Sequence, residues 1–143
     1  MLKRIDSPCN RLVAEMDDES LSRLQRLLPL EEIEISRTPE TGLLMMIARD
    51  CFDTDFCLGD ILVTVAEAKM GNVRGYSMIL GDDPRRAVIS ASLDAILNGT
   101  DGKLKARLLR ALRVFERRFK NRQRSEAGLP ASTRVHFDAM PEG

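Results

Sequence analysis

Two thiols and two carboxylates alternate in Cys51-Phe52-Asp53-Thr54-Asp55-Phe56-Cys57. These are atoms that could ligate a divalent cation, or close a disulfide. Their spacing works against both. In extended chain Cys51 and Cys57 stand about 20 Å apart, at roughly 3.3 Å per residue, whereas a zinc–sulfur bond is about 2.3 Å. One ion, or one disulfide, needs the segment to loop back tightly. There is no Cys-x-x-Cys, and the single histidine, His136, lies far downstream of Cys57. Free thiols are expected here, with no metal and no cofactor. His136 is the one side chain with an ordinary pKa suited to acid–base work near neutrality. It accompanies no recognisable nucleophile, so no catalytic residue is assigned.

Anion binding is the second chemistry on offer. Gly81-Asp82-Asp83-Pro84-Arg85-Arg86 precedes a predicted helix N-terminus, where phosphates dock on free N–H groups. Two aspartates already occupy that positive end and oppose an incoming anion. Neither Gly-x-x-x-x-Gly-Lys nor Gly-x-Gly-x-x-Gly is present. Capping is the expected role of Asp83, and Arg85 and Arg86 remain as candidate contacts to a phosphate or a partner. A stronger signal comes from residues 103–124, which hold ten Lys/Arg and one acid, Glu116. With 22 basic and 22 acidic residues overall, the remainder of the chain is as acidic as this segment is basic. Such polarity suits one surface to an acidic partner. A nucleic acid would meet repulsion from the acidic remainder, and no aromatic platform offers base stacking. An acidic protein surface, or a nucleotide triphosphate held by a partner, fits better, with Arg110 and Arg117 as candidate contacts.

The elements that must carry these residues follow from periodicity. A first short helix is expected over 10–16. Asp17 or Asp18 caps a second, with Leu21, Leu24, Leu27 and Leu28 on one face and Pro29 ending it. Ile33 and Ile35 alternate with polar residues, which predicts a strand. Pro39-Glu40-Thr41-Gly42 is expected to turn the chain into a second strand over 43–49. A loop over 52–59 precedes long strands over 58–69 and 73–80, joined by a two-residue turn at Gly71-Asn72. Asp83-Pro84 opens a helix that Asn98-Gly99 closes. Leu104, Leu108, Ala111, Leu112, Phe115 and Phe119 then recur at helical spacing. Gly128-Leu129-Pro130 is expected to break that helix, leaving residues 131–143 as a C-terminal strand. There Val135, Phe137 and Met140 are candidate contacts to a sheet edge of this chain, a second copy or another protein.

The fold class expected is α+β: an antiparallel four-stranded meander over 32–80, a helical start over 10–28, two helices over 84–124, and the terminal strand. At 143 residues a single domain spanning 1–143 is expected. With no tryptophan, one tyrosine and five phenylalanines, its core must be aliphatic. No apolar run reaches the roughly 20 residues that span a bilayer. Met1-Leu2-Lys3-Arg4-Ile5-Asp6 lacks a signal-peptide core. A cytoplasmic protein with no membrane partner is expected.

Several short motifs occur in a fixed order. They are Pro39-Glu40-Thr41-Gly42, Phe56-Cys57-Leu58-Gly59-Asp60, Val63-Thr64, Gly75-Tyr76, Leu80-Gly81-Asp82-Asp83 and Asp94-Ala95, followed by Val135-His136-Phe137-Asp138-Ala139-Met140. Together they resemble the G subunit of the bacterial carbon–phosphorus lyase core complex, the PhnG family. The resemblance implies an accessory subunit that works with H-, I- and J-type partners. That complex converts ATP and an alkylphosphonate into a ribose 1-phosphonate 5-triphosphate, a transferase reaction centred on the I subunit. A radical enzyme, the J subunit, later breaks the carbon–phosphorus bond. The family commonly carries Gly-Arg-Asp at Gly81-Asp82-Asp83, histidine at Arg86 and an arginine at Val65. Two competing readings are a stand-alone nucleic-acid-binding module using helix 103–124, and a small thiol or metal enzyme using Cys51, Cys57 and His136.

Overall fold

The structure, a computed structural model, describes residues 8–131. Helix α1 (Pro8–Glu15) and helix α2 (Asp18–Leu27) come first, then a 3-10 turn (Leu30–Glu32). Strands β1 (Ile33–Arg49), β2 (Asp55–Met70) and β3 (Val73–Leu80) form one antiparallel sheet in that order. Helices α3 (Pro84–Asn98) and α4 (Gly102–Ala131) follow.

Many expected local signals do their work. Asp17 caps α2 by accepting from the Ser20 N–H at 2.9 Å. Asp83 caps α3 by accepting from the Arg86 N–H at 2.9 Å, with Pro84 in the first turn. Gly71 takes φ +59° in the β2–β3 turn, and Asn72 does not share it, the pattern of a II′ turn.

Three expectations are corrected. The meander has three strands rather than four. Residues 33–49 form one continuous strand, and Pro39-Glu40-Thr41-Gly42 lies inside it. The register with β2 shifts between Ile35 and Arg37 and again between Arg37 and Glu40. These are β-bulges, which absorb extra residues without ending a strand. The missing N–H of Pro39 is tolerated because β1 is an edge strand. The expected loop over 52–59 shrinks to a turn, and β2 begins at Asp55. A further register shift beside Gly59, whose φ is +134°, lets the strand run on. Finally, α4 continues through Gly128-Leu129 and ends one residue after Pro130. A lone glycine costs about 1 kcal/mol, too little to stop a long helix.

Helix α3 is the centre of the molecule and is buried on two faces. Ala87 and Ala91 pack on Ala66, Ala68 and Ile79 of the sheet. Ile89, Leu93 and Ile96 face the other helices, joining Leu21 and Leu24 of α2 and Leu108, Leu112 and Phe115 of α4. The apolar stripe read on α4 is therefore core. Leu108 is fully buried, so Leu108→Ala is expected to cost about 2–5 kcal/mol. Arg110 and Arg117 are exposed on the same helix. Their joint replacement by alanine is expected to move stability by less than about 0.5 kcal/mol per site. Thermal melts of the two variants check this contrast; equal losses would mean the helix is docked the other way round.

Candidate partner-binding surface

The sequence motifs converge in space, and mostly they build the frame. Gly75-Tyr76 meets Asp94-Ala95. The Asp94 carboxylate accepts from the Tyr76 N–H at 3.0 Å and from the Asn98 side-chain amide at 3.2 Å. This ties α3 to β3. Val63-Thr64 meets Gly81-Asp82-Asp83. The fully buried Thr64 hydroxyl donates to the Gly81 carbonyl at 2.6 Å and accepts from the Asp83 N–H at 3.1 Å. The Thr41 hydroxyl donates to Asp82 at 2.8 Å. Gly81 itself sits at φ +90°, a conformation that favours glycine.

Arg85 and Arg86 are both held by protein. Arg85 donates to the Ser22 hydroxyl at 2.9 Å and to the Gln25 side-chain oxygen at 3.0 Å, linking α3 to α2. The Arg86 guanidinium donates to the carbonyls of Val13 (2.6 Å) and Met16 (2.7 Å) and to the Asp83 carboxylate (3.0 Å). It satisfies the carbonyls left open at the end of α1. Arg86→Met is expected to cost about 2–3 kcal/mol, since charge-assisted bonds are the costly ones to lose. Denaturant melts check it, and an unchanged midpoint would contradict the capping role.

Burial pushes the Asp83 carboxyl upward, but hydrogen bonds from the Arg86 N–H and guanidinium outweigh it and hold the pKa below 3.8. A depressed carboxylate stabilises the fold at pH values above its unfolded pKa. That contribution is lost as pH falls through the lower folded value. Wild type is therefore expected to lose stability below about pH 4 along a slope that Asp83→Asn flattens. Melts between pH 2 and 5 test this, and identical slopes would contradict it.

Arg110 and Arg117 ride on α4, seven residues apart and so on one face. No hydrogen bond or ion pair among the described residues joins them to Arg85 or Arg86. Cys51 and Cys57 are exposed free thiols, and no metal-binding group of His, Cys, Asp and Glu occurs among the described residues. His136, Val135, Phe137 and Met140 lie outside the described residues.

The surface that sequence reasoning missed is the far half of the β1–β2 hairpin. Strand β3 pairs with β2 only from Val63 to Met70. Beyond Val63, residues 43–49 and 55–62 continue as a two-stranded ribbon, roughly 23 Å long at 3.3 Å per residue. Its tip is well built. The Asp50 carboxylate accepts from the N–H groups of Phe52 (2.8 Å) and Thr54 (2.9 Å), and Arg49 pairs with Asp55 at 2.7 Å. Both faces are apolar and open. Leu43, Met45 and Ile47 on one face are 61–69% exposed, and Leu44 and Met46 on the other 41–43%. Phe52, Phe56 and Leu58 are exposed as well. Among the described residues, no strand pairs with the outer edge of β1 or with β2 over residues 55–61. The available signal was the continuous apolar run of residues 43–48. It indicates burial on both faces, without saying that the other described residues leave both faces uncovered.

No helix of the described residues is long and apolar enough to cross a membrane. Among curated proteins, no match to the chain was found. The family model for phosphonate metabolism protein PhnG matches residues 8–143. That match spans the ribbon, the motifs that join α3 to the sheet and the basic helix, and the chain belongs to the PhnG family of phosphonate metabolism proteins.

Proposed function

We propose that this chain is an accessory subunit of a carbon–phosphorus lyase core complex. It supports formation of a ribose 1-alkylphosphonate 5-triphosphate from ATP and an alkylphosphonate, and it contributes by assembly. The ribbon carries this reading. A two-stranded hairpin is marginally stable in water by itself, and this one exposes large apolar side chains on both faces. Continuous apolar surface of that extent marks a protein contact. Partners of the H, I and J types are the proteins that the family's role supplies. The basic face of α4, with Arg110 and Arg117 exposed, is a second contact zone, suited to an acidic surface or to triphosphate held by a partner.

Reconstitution tests this reading. ATP turnover with methylphosphonate is expected from the H, I and J subunits only when this chain is added. The pure chain alone is expected to show none. Undiminished turnover without the chain, or turnover by the chain alone, would overturn the proposal.

A further inference from the structure

We infer that the ribbon inserts into a two-walled apolar cleft of a partner protein, with lysine or arginine side chains where the tip arrives. The inference rests on the accessory-subunit reading and adds how the partner is engaged. Three observations carry it. The first is two-sidedness. Directly paired residues share a face, so Leu43, Met45 and Ile47 lie with Leu62 and Cys57, while Leu44 and Met46 lie with Ile61 and Gly59. A flat surface covers one such set and leaves the other in water. Only walls on both sides remove both. The second is area. Ten large apolar side chains on the ribbon and its base are 41–83% exposed. Counting roughly 150 Å² per whole side chain, they present on the order of 900 Å². A standard protein–protein interface buries about 800 Å² per partner.

The third is charge. Between residues 42 and 62 the chain carries Asp50, Asp53, Asp55 and Asp60 against Arg49 alone. Three of the four aspartates sit at the tip. The leading end of the arm is thus acidic, and complementary basic groups in the cleft steer entry and fix its direction. The same charge repels an anionic lipid surface, so the apolar side chains do not mark a membrane anchor.

Neighbouring positions on opposite faces make the test direct. Cys57 reports one face. Phe56→Cys, with Cys57→Ser, reports the other, both in a Cys51→Ser background. Each chain is assembled with the H, I and J subunits and treated with a maleimide, and peptide mapping separates the reporters from Cys9. Labelling of both reporters is expected to slow at least tenfold on assembly relative to the isolated chain. Protection of one face only would overturn the cleft in favour of a flat contact. Protection already present in the isolated chain, together with a dimeric mass, would overturn it in favour of a second copy. A complex that forms with both reporters still fast would overturn this inference and leave the accessory-subunit reading standing. Failure of any complex to form would overturn that reading, and this one with it. For the charge element, Asp53→Asn with Asp60→Asn is expected to slow association about tenfold at low salt and to flatten its salt dependence. An unchanged salt slope would remove the basic wall from the proposal.

Discussion

Gly75→Ala is expected to cost about 3 kcal/mol or more, a large share of the roughly 5–15 kcal/mol that holds a typical domain folded. A β-carbon built at Gly75 would stand 2.1 Å from the Ala91 carbonyl oxygen and 2.2 Å from the Ala95 backbone nitrogen. Both obstacles are main chain, so no rotamer change relieves them. Helix α3 would have to lift off the sheet and open the seam of Ala66, Ala68, Ala87 and Ala91. Overpacking usually costs 1–3 kcal/mol where side chains can give way, and here they are not what blocks. Gly42→Ala is the matched control. Nothing lies within 4 Å of its added carbon, and removing a glycine from extended chain is expected to be neutral or to stabilise by up to about 1 kcal/mol. Urea denaturation followed by circular dichroism decides the contrast. A Gly75→Ala midpoint equal to wild type would mean that α3 does not lie against β3 as described.

Met45→Thr with Ile47→Thr is expected to weaken binding to the partner subunits about a hundredfold and to leave the fold almost untouched. Both side chains are 61–62% exposed, so the isolated chain loses little by their removal, and threonine keeps the strand preference. Buried in an interface, two such side chains are worth about 1–2 kcal/mol each, and 1.4 kcal/mol is a tenfold change in affinity. Titration against the H, I and J subunits, beside thermal melts, reads both quantities. A variant that melts several degrees lower with unchanged affinity would place these side chains in this chain's own core.

Local rules recovered the elements whose signals are local. Asp17 and Asp83 were legible as caps, Gly71-Asn72 as a turn, and the α4 stripe as core, because each is written within a few residues. The number of strands was misread for the same reason. Pro39 and Gly42 carry turn chemistry, but their use inside a bulged edge strand depends on register with residues 64–67 of β2, which periodicity does not contain. The double burial of α3 was half legible. Ala87, Val88, Ala91, Ala95 and Ile96 read as one buried stripe, but Ile96 faces the other helices together with Ile89 and Leu93, which that stripe leaves out. Arg85 and Arg86 looked free as sequence neighbours of a helix start. Apart from Asp83, their hydrogen-bond partners lie 60 to 73 residues away, in α2 and around the end of α1. The candidate surface was the least legible part. An apolar strand in a small chain predicts a core strand, and only the short reach of β3 and α3 shows that half the hairpin lies outside it.

Native mass spectrometry of the tagged chain, purified after co-expression with the H-, I- and J-type subunits, tests the central claim most directly. One assembly containing all four kinds of subunit is expected for wild type. Deletion of residues 44–60, closed by a two-residue turn, is expected to yield a folded chain purified without them. A ribbon-deleted chain that retains H, I and J at wild-type stoichiometry would mean that the ribbon does not hold the partners.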